Sequence, residues 1–294
     1  MNRRLLLRST ALLALSVPQT GCRVLLRQLR PALKGALGGS PSGSRGGTPK
    51  GVVPYQIMVD GYQRTGLVHV PPTAQQQPAP VVFVFHGHGG SASVVASGFG
   101  LHQLWPEAIV IYLQGLNTPS QLDREGRKPG WQTREGDQGD RDLHLFDAVL
   151  ADLIRQYRVD ARHVFATGHS NGGFFTYLLW HARSRALAAV APSAATTARM
   201  GNATLPAKPA MHLAGTQDQI VKFAAQQATM EQVKRSNHCD AAGVPWGPNC
   251  TLFPSRSGTP LVAYVYSGTH TFSSAAPPLI VRFFKEQCGA ERPR

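Results

Sequence analysis

Thr167-Gly168-His169-Ser170-Asn171-Gly172-Gly173 is the stretch on which the reading of this chain turns. The residues before it, 163–166, are apolar and strand-like, and those after it, 171–182, carry a helical pattern. A serine set between glycines at a strand-to-helix junction sits on a sharp turn that lifts its hydroxyl clear of a sheet. The glycines matter because such a turn brings backbone close to backbone. Ser170 is therefore the candidate nucleophile, with a plain glycine-rich turn as the alternative.

Working outward, continuous apolar runs recur at 81–85, 108–112, 188–191, 209–213 and 261–266, as expected of strands buried on both faces. Helical patterns lie at 142–157 and 220–234. Strand and helix alternate, which predicts an α/β protein with a mostly parallel central sheet and helices on both faces. Segments 54–59 and 66–70 flank Asp60-Gly61, a hairpin signal at the start of the domain. No internal repeat and no second folded domain is visible.

The run 81–85 ends in His86-Gly87-His88-Gly89-Gly90-Ser91. A glycine-rich loop leaving a buried strand can offer backbone N–H groups to a developing oxyanion. The N–H of His88 and that of Asn171, just after the serine, are the candidate donors. His86-x-His88 as half of a metal site is the competing reading, and no third ligand at suitable spacing accompanies it. No metal and no organic cofactor is expected.

A serine nucleophile needs a base and an orienting acid, in the chain order Ser, Asp/Glu, His. His270 follows the run 261–266 through Ser267-Gly268-Thr269, and Asp218 follows the run 209–213. Both positions place a side chain on a loop leaving a strand. His238 and Asp240 are the alternatives to them. Trp131, Trp246 and Phe272 are candidate walls of a substrate pocket, able to stack on a ring, against the plainer reading of packing within their own loops.

Charge and cysteine usage bound the setting. The net charge is +14, yet the first 50 residues hold nine of the 30 Lys/Arg and none of the 16 Asp/Glu. The excess lies in a leader, with no basic stripe interleaved with aromatics in the body, so nucleic acid is not an expected partner. Residues 1–34 begin with arginines, continue through a short apolar stretch to Cys22, and then become basic and partly amphipathic. They predict an export signal or contact with a membrane surface, and hence a secreted, periplasmic or cell-envelope protein. A basic arm lying on the domain is the alternative. No apolar run is long enough to span a bilayer. Residues 35–50, rich in Gly, Ser and Pro, form a flexible linker, and 51–294 form the catalytic domain. Cys239 and Cys250 flank an irregular Pro/Trp/Gly segment and are expected to form a disulfide in an oxidising compartment, with two free thiols as the alternative. Oligomeric state is left open.

These segments together resemble the polyhydroxybutyrate depolymerase-like esterases, a family related to feruloyl and acetylxylan esterases. The resemblance spans about residues 55–287. It rests on His86-Gly87-His88-Gly89-Gly90-Ser91, Tyr112-Leu113-Gln114-Gly115-Leu116, Gly130-Trp131-Gln132, Val159-Asp160-Ala161-Arg162-His163-Val164-Phe165 and Gly215-Thr216-Gln217-Asp218. His88 stands where many members carry cysteine. Gly268-Thr269-His270-Thr271-Phe272 departs most, since relatives read Gly-His-x-Trp-Pro. The resemblance implies an α/β-hydrolase fold without a large cap domain, and hydrolysis of a small ester or oligoester, with hydroxyalkanoate, feruloyl and acetyl esters as the classes. A serine peptidase on the same triad and a catalytically silent binding module are the competing functions.

Overall fold

The computed structural model describes residues 48–201 and 204–289. The leader at 1–34 and nearly all of the linker at 35–50 lie outside the described residues.

The chain opens with β1 (Val53–Val59) and β2 (Tyr62–His69), an antiparallel pair. Asp60 and Gly61 form its two-residue turn with φ of 51° and 79°. Positive φ at both positions matches the right-handed twist of the strands, and Asp and Gly tolerate it. Then come β3 (Ala79–Phe85), α1 (Ala92–Phe99), α2 (Leu101–Leu104) and β4 (Ile109–Leu113). A small ribbon of β5 (Leu116–Asn117) and β6 (Pro129–Gly130) precedes α3 (Arg141–Gln156), β7 (Val159–His169), α4 (Asn171–Ala182) and β8 (Ala189–Ser193). The remainder is β9 (Ala210–Gly215), α5 (Phe223–Ser236), β10 (Val244–Gly247), β11 (Cys250–Phe253), β12 (Leu261–Tyr266) and α6 (Ala276–Gly289).

Ten strands form one sheet in the order β1-β2-β4-β3-β7-β8-β9-β12-β11-β10. Its centre, from β4 to β12, is parallel. Antiparallel strands close each edge. Between β3 and β7 the order of connection reverses, and the carboxyl ends of those two strands frame a crevice, the place where open α/β sheets bind ligands.

The apolar runs are continuous because both faces are covered. Val81, Phe83 and Phe85 of β3 join the core with α3, α4 and α5. Val82 and Val84 point the other way, to Phe99 of α1 and to Phe283 and Phe284 of α6. Alternation of side chains along a strand produces this division.

Two segments differ from expectation. The stretch between Cys239 and Cys250 is the β10–β11 hairpin rather than an irregular loop. Its cysteines are free thiols, not a disulfide. Cys239 packs on the α3–α5 side of the sheet and Cys250 on the α1–α6 side, so the sheet lies between them. Burial raises the thiol pKa of both.

Arg64 of β2 and Asp142 of α3 form a buried ion pair at 2.8 Å. The second Asp142 oxygen accepts the Gln132 N–H at 2.9 Å, and Gln132 Oε1 accepts the N–H of Asp142 at 3.0 Å. The pair therefore ties segment 130–132 to the start of α3. Removing one partner leaves an uncompensated charge in the interior. Arg64→Leu should lower stability by about 3–5 kcal/mol in denaturant unfolding; a loss under about 1 kcal/mol would show the pair to be dispensable.

Candidate active site

Ser170, between β7 and α4, has φ 55° and ψ −119°, a conformation seldom adopted by a residue with a side chain. Its N–H donates to the Ser193 carbonyl at 2.9 Å, and its carbonyl accepts the Phe174 N–H at 2.9 Å. Glycine is required on either side. A Cβ on Gly168 would collide with the Gly172 carbonyl, and one on Gly172 with the Phe85 carbonyl. The turn is thus pressed onto the end of β3, and the hydroxyl has one direction left, into the crevice.

His270 lies beyond β12, with Nε2 2.7 Å from Ser170 Oγ and Nδ1 2.8 Å from Asp218 Oδ2. Asp218 is buried, and its other oxygen accepts the N–H groups of Ile220 at 2.9 Å and Val221 at 2.8 Å. With Oδ1 occupied by those donors, Oδ2 accepts the proton of Nδ1, which leaves the Nε2 lone pair facing the serine hydroxyl. The structure thus brings Ser170, Asp218 and His270 into one relay. His238 and Asp240 are exposed and take no part in it.

A buried polar chain stands behind Asp218 that the sequence did not suggest. Gln226 Nε2 donates to Asp218 Oδ2 at 3.3 Å, Gln226 Oε1 accepts from His212 Nε2 at 3.3 Å, and Tyr177 donates its hydroxyl proton to His212 Nδ1 at 2.6 Å. Every donor in this order points toward the carboxylate. Burial lowers the His212 pKa to about 4, so the ring is neutral and can both accept and donate. The residues come from α4, β9 and α5, and no short motif links them.

His169 braces the base from below. Its Nε2–H donates to the His270 carbonyl at 3.3 Å, Nδ1 accepts from the Ser193 hydroxyl at 3.0 Å, and burial holds its pKa near 4. Phe272 stacks on Phe99 with ring centroids 3.7 Å apart and sets its edge against His169. It steadies the His270 loop and does not line the cavity, contrary to expectation.

The loop after β3 has its hydrogen bonds distributed unevenly. Gly89 N–H donates to the Pro129 carbonyl at 2.7 Å and Gly90 N–H to that of Gly87 at 2.9 Å. The His88 N–H has no protein acceptor among the described residues. Asn171 is the first residue of α4, so its N–H is one of the donors a helix leaves unused. Both residues line the cavity beside Ser170. The Asn171 side chain is committed elsewhere: Oδ1 accepts the Trp131 N–H at 2.6 Å and Nδ2 donates to the Trp131 carbonyl at 3.0 Å.

His86 is fully buried. The Gly115 N–H donates to its Nε2 at 2.9 Å, so the ring proton sits on Nδ1 and donates to the Gly87 carbonyl at 2.7 Å. Both nitrogens are engaged, and burial takes the pKa to about 4. His88 pairs through Nε2 with Asp123 at 3.1 Å. With His86 occupied in this way, the two imidazoles do not form half of a metal site.

The cavity has a volume of about 680 Å³. Besides Ser170, His88 and Asn171 it is walled by Leu122, Phe174, Ile220, Val221 and Arg199, all absent from the sequence reading. Trp131 is not a wall. It is fully buried between Phe85 and Phe175, and its indole N–H donates to the His86 carbonyl at 2.8 Å. Nor is Trp246, which lies in β10 beneath the Arg282 guanidinium and donates to Glu286. Both tryptophans have taken the packing role because their polar N–H groups found partners in the fold.

No protein-family model matches the chain. Feruloyl esterase D of Neurospora crassa is 25% identical over 278 residues, covering 86% of this chain and 89% of that relative. A solved ferulic acid esterase superposes with a TM-score of 0.58 at 13% identity, covering 80% of this chain and 98% of the other. A Bacillus cereus carboxylesterase does so with a TM-score of 0.55 at 17% identity, covering 76% and 94%. The fold is the α/β-hydrolase fold, with no large cap domain among the described residues.

Two outcomes follow from this geometry. Asp218→Asn should lower kcat about a hundredfold or more, and Gln226→Leu about tenfold with KM little changed, whereas Asp240→Asn should leave steady-state kinetics near wild type. Damage from Asp240→Asn instead would identify a different acid. His86, His169 and His212 have pKa values near 4, below the ordinary histidine value, so between about 6.5 and 4 the unfolded chain binds more protons than the folded one. Stability is fully present above about pH 6.5 and should fall on acidification by about 1.4 kcal/mol per pH unit for each histidine. Denaturation curves that stay flat between pH 6 and pH 5 would contradict neutral burial.

Proposed function

We propose that this chain of the α/β-hydrolase fold is a serine carboxylesterase. The observation that carries the reading is the relay of Ser170, His270 and Asp218, with contacts of 2.7 and 2.8 Å, opening on the cavity. His270 Nε2 takes the hydroxyl proton as Ser170 Oγ attacks the ester carbonyl. The carbonyl oxygen becomes an oxyanion held by the N–H groups of His88 and Asn171. Collapse of the tetrahedral species breaks the carbon–oxygen bond to the alcohol, which leaves with the proton from His270. Water then gives a proton to His270 and adds to the acyl-enzyme, and a second collapse frees the acid and restores the serine.

Asp218 contributes by holding the tautomer and the imidazolium that forms. The substrate classes that fit the family resemblance are hydroxyalkanoate oligomers, feruloyl esters and acetyl esters. A cavity of about 680 Å³ is larger than an acetyl group needs and is in the usual range for a drug-sized ligand. The similarity to feruloyl esterase D over most of both chains supports ester hydrolysis over peptide hydrolysis. Among the described residues no helix is long and apolar enough to cross a membrane. Export or membrane-surface contact rests on the composition of the leader.

Ser170→Ala should retain the fold and reduce hydrolysis of p-nitrophenyl acetate by about a thousandfold or more. Wild-type turnover should survive chelators, and a peptide anilide should be cleaved far more slowly than the ester. Activity of the alanine variant within tenfold of wild type would sink the serine mechanism, and preference for the anilide would make the chain a peptidase.

A further inference from the structure

The catalytic relay leaves one wall of the cavity without a role. Among the residues lining the cavity, Arg134, Arg199 and Lys222 are cationic, and none is Asp or Glu. Arg199 follows β8, and its guanidinium carbon stands 4.7 Å from the centre of the Phe174 ring. Among the described residues that guanidinium has neither a carboxylate within 4 Å nor a hydrogen-bond acceptor. Arg134 Nε donates to the Arg199 carbonyl at 3.0 Å, which keeps a second guanidinium at the same wall.

This arrangement is unlike that of other sheltered arginines in the protein. Arg64 meets Asp142, and Arg183 meets Asp147. Arg199 is half-buried, and burial together with the neighbouring Arg134 charge lowers its pKa, outweighing the Asp137 carboxylate, which acts the other way. A cation held beside a like charge and partly out of water is stabilised by an anion placed between the two. A planar guanidinium fork suits a carboxylate, which it can bind through two parallel hydrogen bonds. The same cavity that holds Arg199 and Ser170 is also lined by Leu122, Phe174, Ile220 and Val221, apolar surface that suits a hydrocarbon spacer.

We infer that Arg199, aided by Arg134, binds a free carboxylate at the far end of the ester substrate, so that the preferred substrates are anionic esters with an apolar spacer. The inference rests on the serine-esterase reading of the same cavity. In the half-ester of a dicarboxylic acid, the bound carboxylate is a spectator. Water adds across the acyl–oxygen bond, the alcohol leaves with one proton, and the second carboxyl group ionises. The product is a dicarboxylate, held until it is released from the arginine wall.

The test compares p-nitrophenyl half-esters of succinate, glutarate, adipate and suberate with the same compounds capped as methyl esters. At low salt the free acid should exceed its capped partner in kcat/KM by about 10- to 100-fold at the best spacer length, the range of a charge-assisted hydrogen bond. The ratio should shrink as salt rises. It should approach one in Arg199→Gln and be partly retained in Arg199→Lys. If Arg199→Gln fails to fold, Arg134→Gln should still lower the ratio. A capped substrate preferred at every length, or a ratio unchanged in both glutamine variants, overturns the inference. Calorimetric titration of Ser170→Ala with monomethyl adipate separates the two readings. Binding that weakens in Arg199→Gln, in an enzyme that hydrolyses no ester, sinks the esterase reading alone. Ester hydrolysis without carboxylate binding sinks the arginine wall alone.

Discussion

The close approach of the β7–α4 turn to the end of β3 is the constraint on which the site depends. Gly168 and Gly172 permit it, since a side chain at either would strike a carbonyl of the neighbouring backbone. With that contact made, Ser170 has its left-handed backbone, α4 starts beside the glycine-rich loop, and His88 and Asn171 line one cavity with Ser170. The strain at Ser170 persists because the surrounding hydrogen bonds to Ser193 and Phe174 over-determine it. Stability gathered in the two cores of the sheet thereby holds a reactive geometry that the isolated turn would not keep.

Around this contact the structure layers its polar groups by depth. The Arg64–Asp142 pair anchors segment 130–132, and Trp131 within that segment meets both Asn171 and the His86 carbonyl. His169 and Phe272 support the loop of His270 from the opposite direction. Few of these groups touch the cavity. Their effect is to leave Ser170, His270 and Asp218 little freedom to depart from hydrogen-bonding distance.

Much of the fold was legible because buried parallel strands announce themselves as unbroken apolar runs, which marked β3, β4, β7, β8, β9 and β12 along the chain though not their order in the sheet. The hairpin turn at Asp60-Gly61 was legible for a local steric reason. The β10–β11 hairpin was not, because proline, glycine and tryptophan in a four-residue edge strand carry no period. Helices α1 and α6 were passed over as well: α1 has only eight residues, and α6 carries prolines in its first turn, where they are tolerated. Within the site, Ser170, Asp218 and His270 could be nominated because each follows a strand. Gln226, His212 and Tyr177 could not, since their contact depends on how α5 and α4 pack across β9. The tryptophans misled for a related reason. An indole in a polar loop reads as exposed until its N–H finds a buried carbonyl, as that of Trp131 does at His86.

The polar chain behind Asp218 has a consequence for how such a protein can change over generations. Tyr177, His212 and Gln226 each supply what the next one needs, and all three are buried. Replacing one alone strands a donor or acceptor in the interior, whereas replacing the set with apolar residues of similar volume removes the demand among the three and leaves Asp218 with one donor fewer. Drift at these positions is therefore expected to be concerted. Lineages should hold either the whole trio or none of it, and the intermediates should be rare.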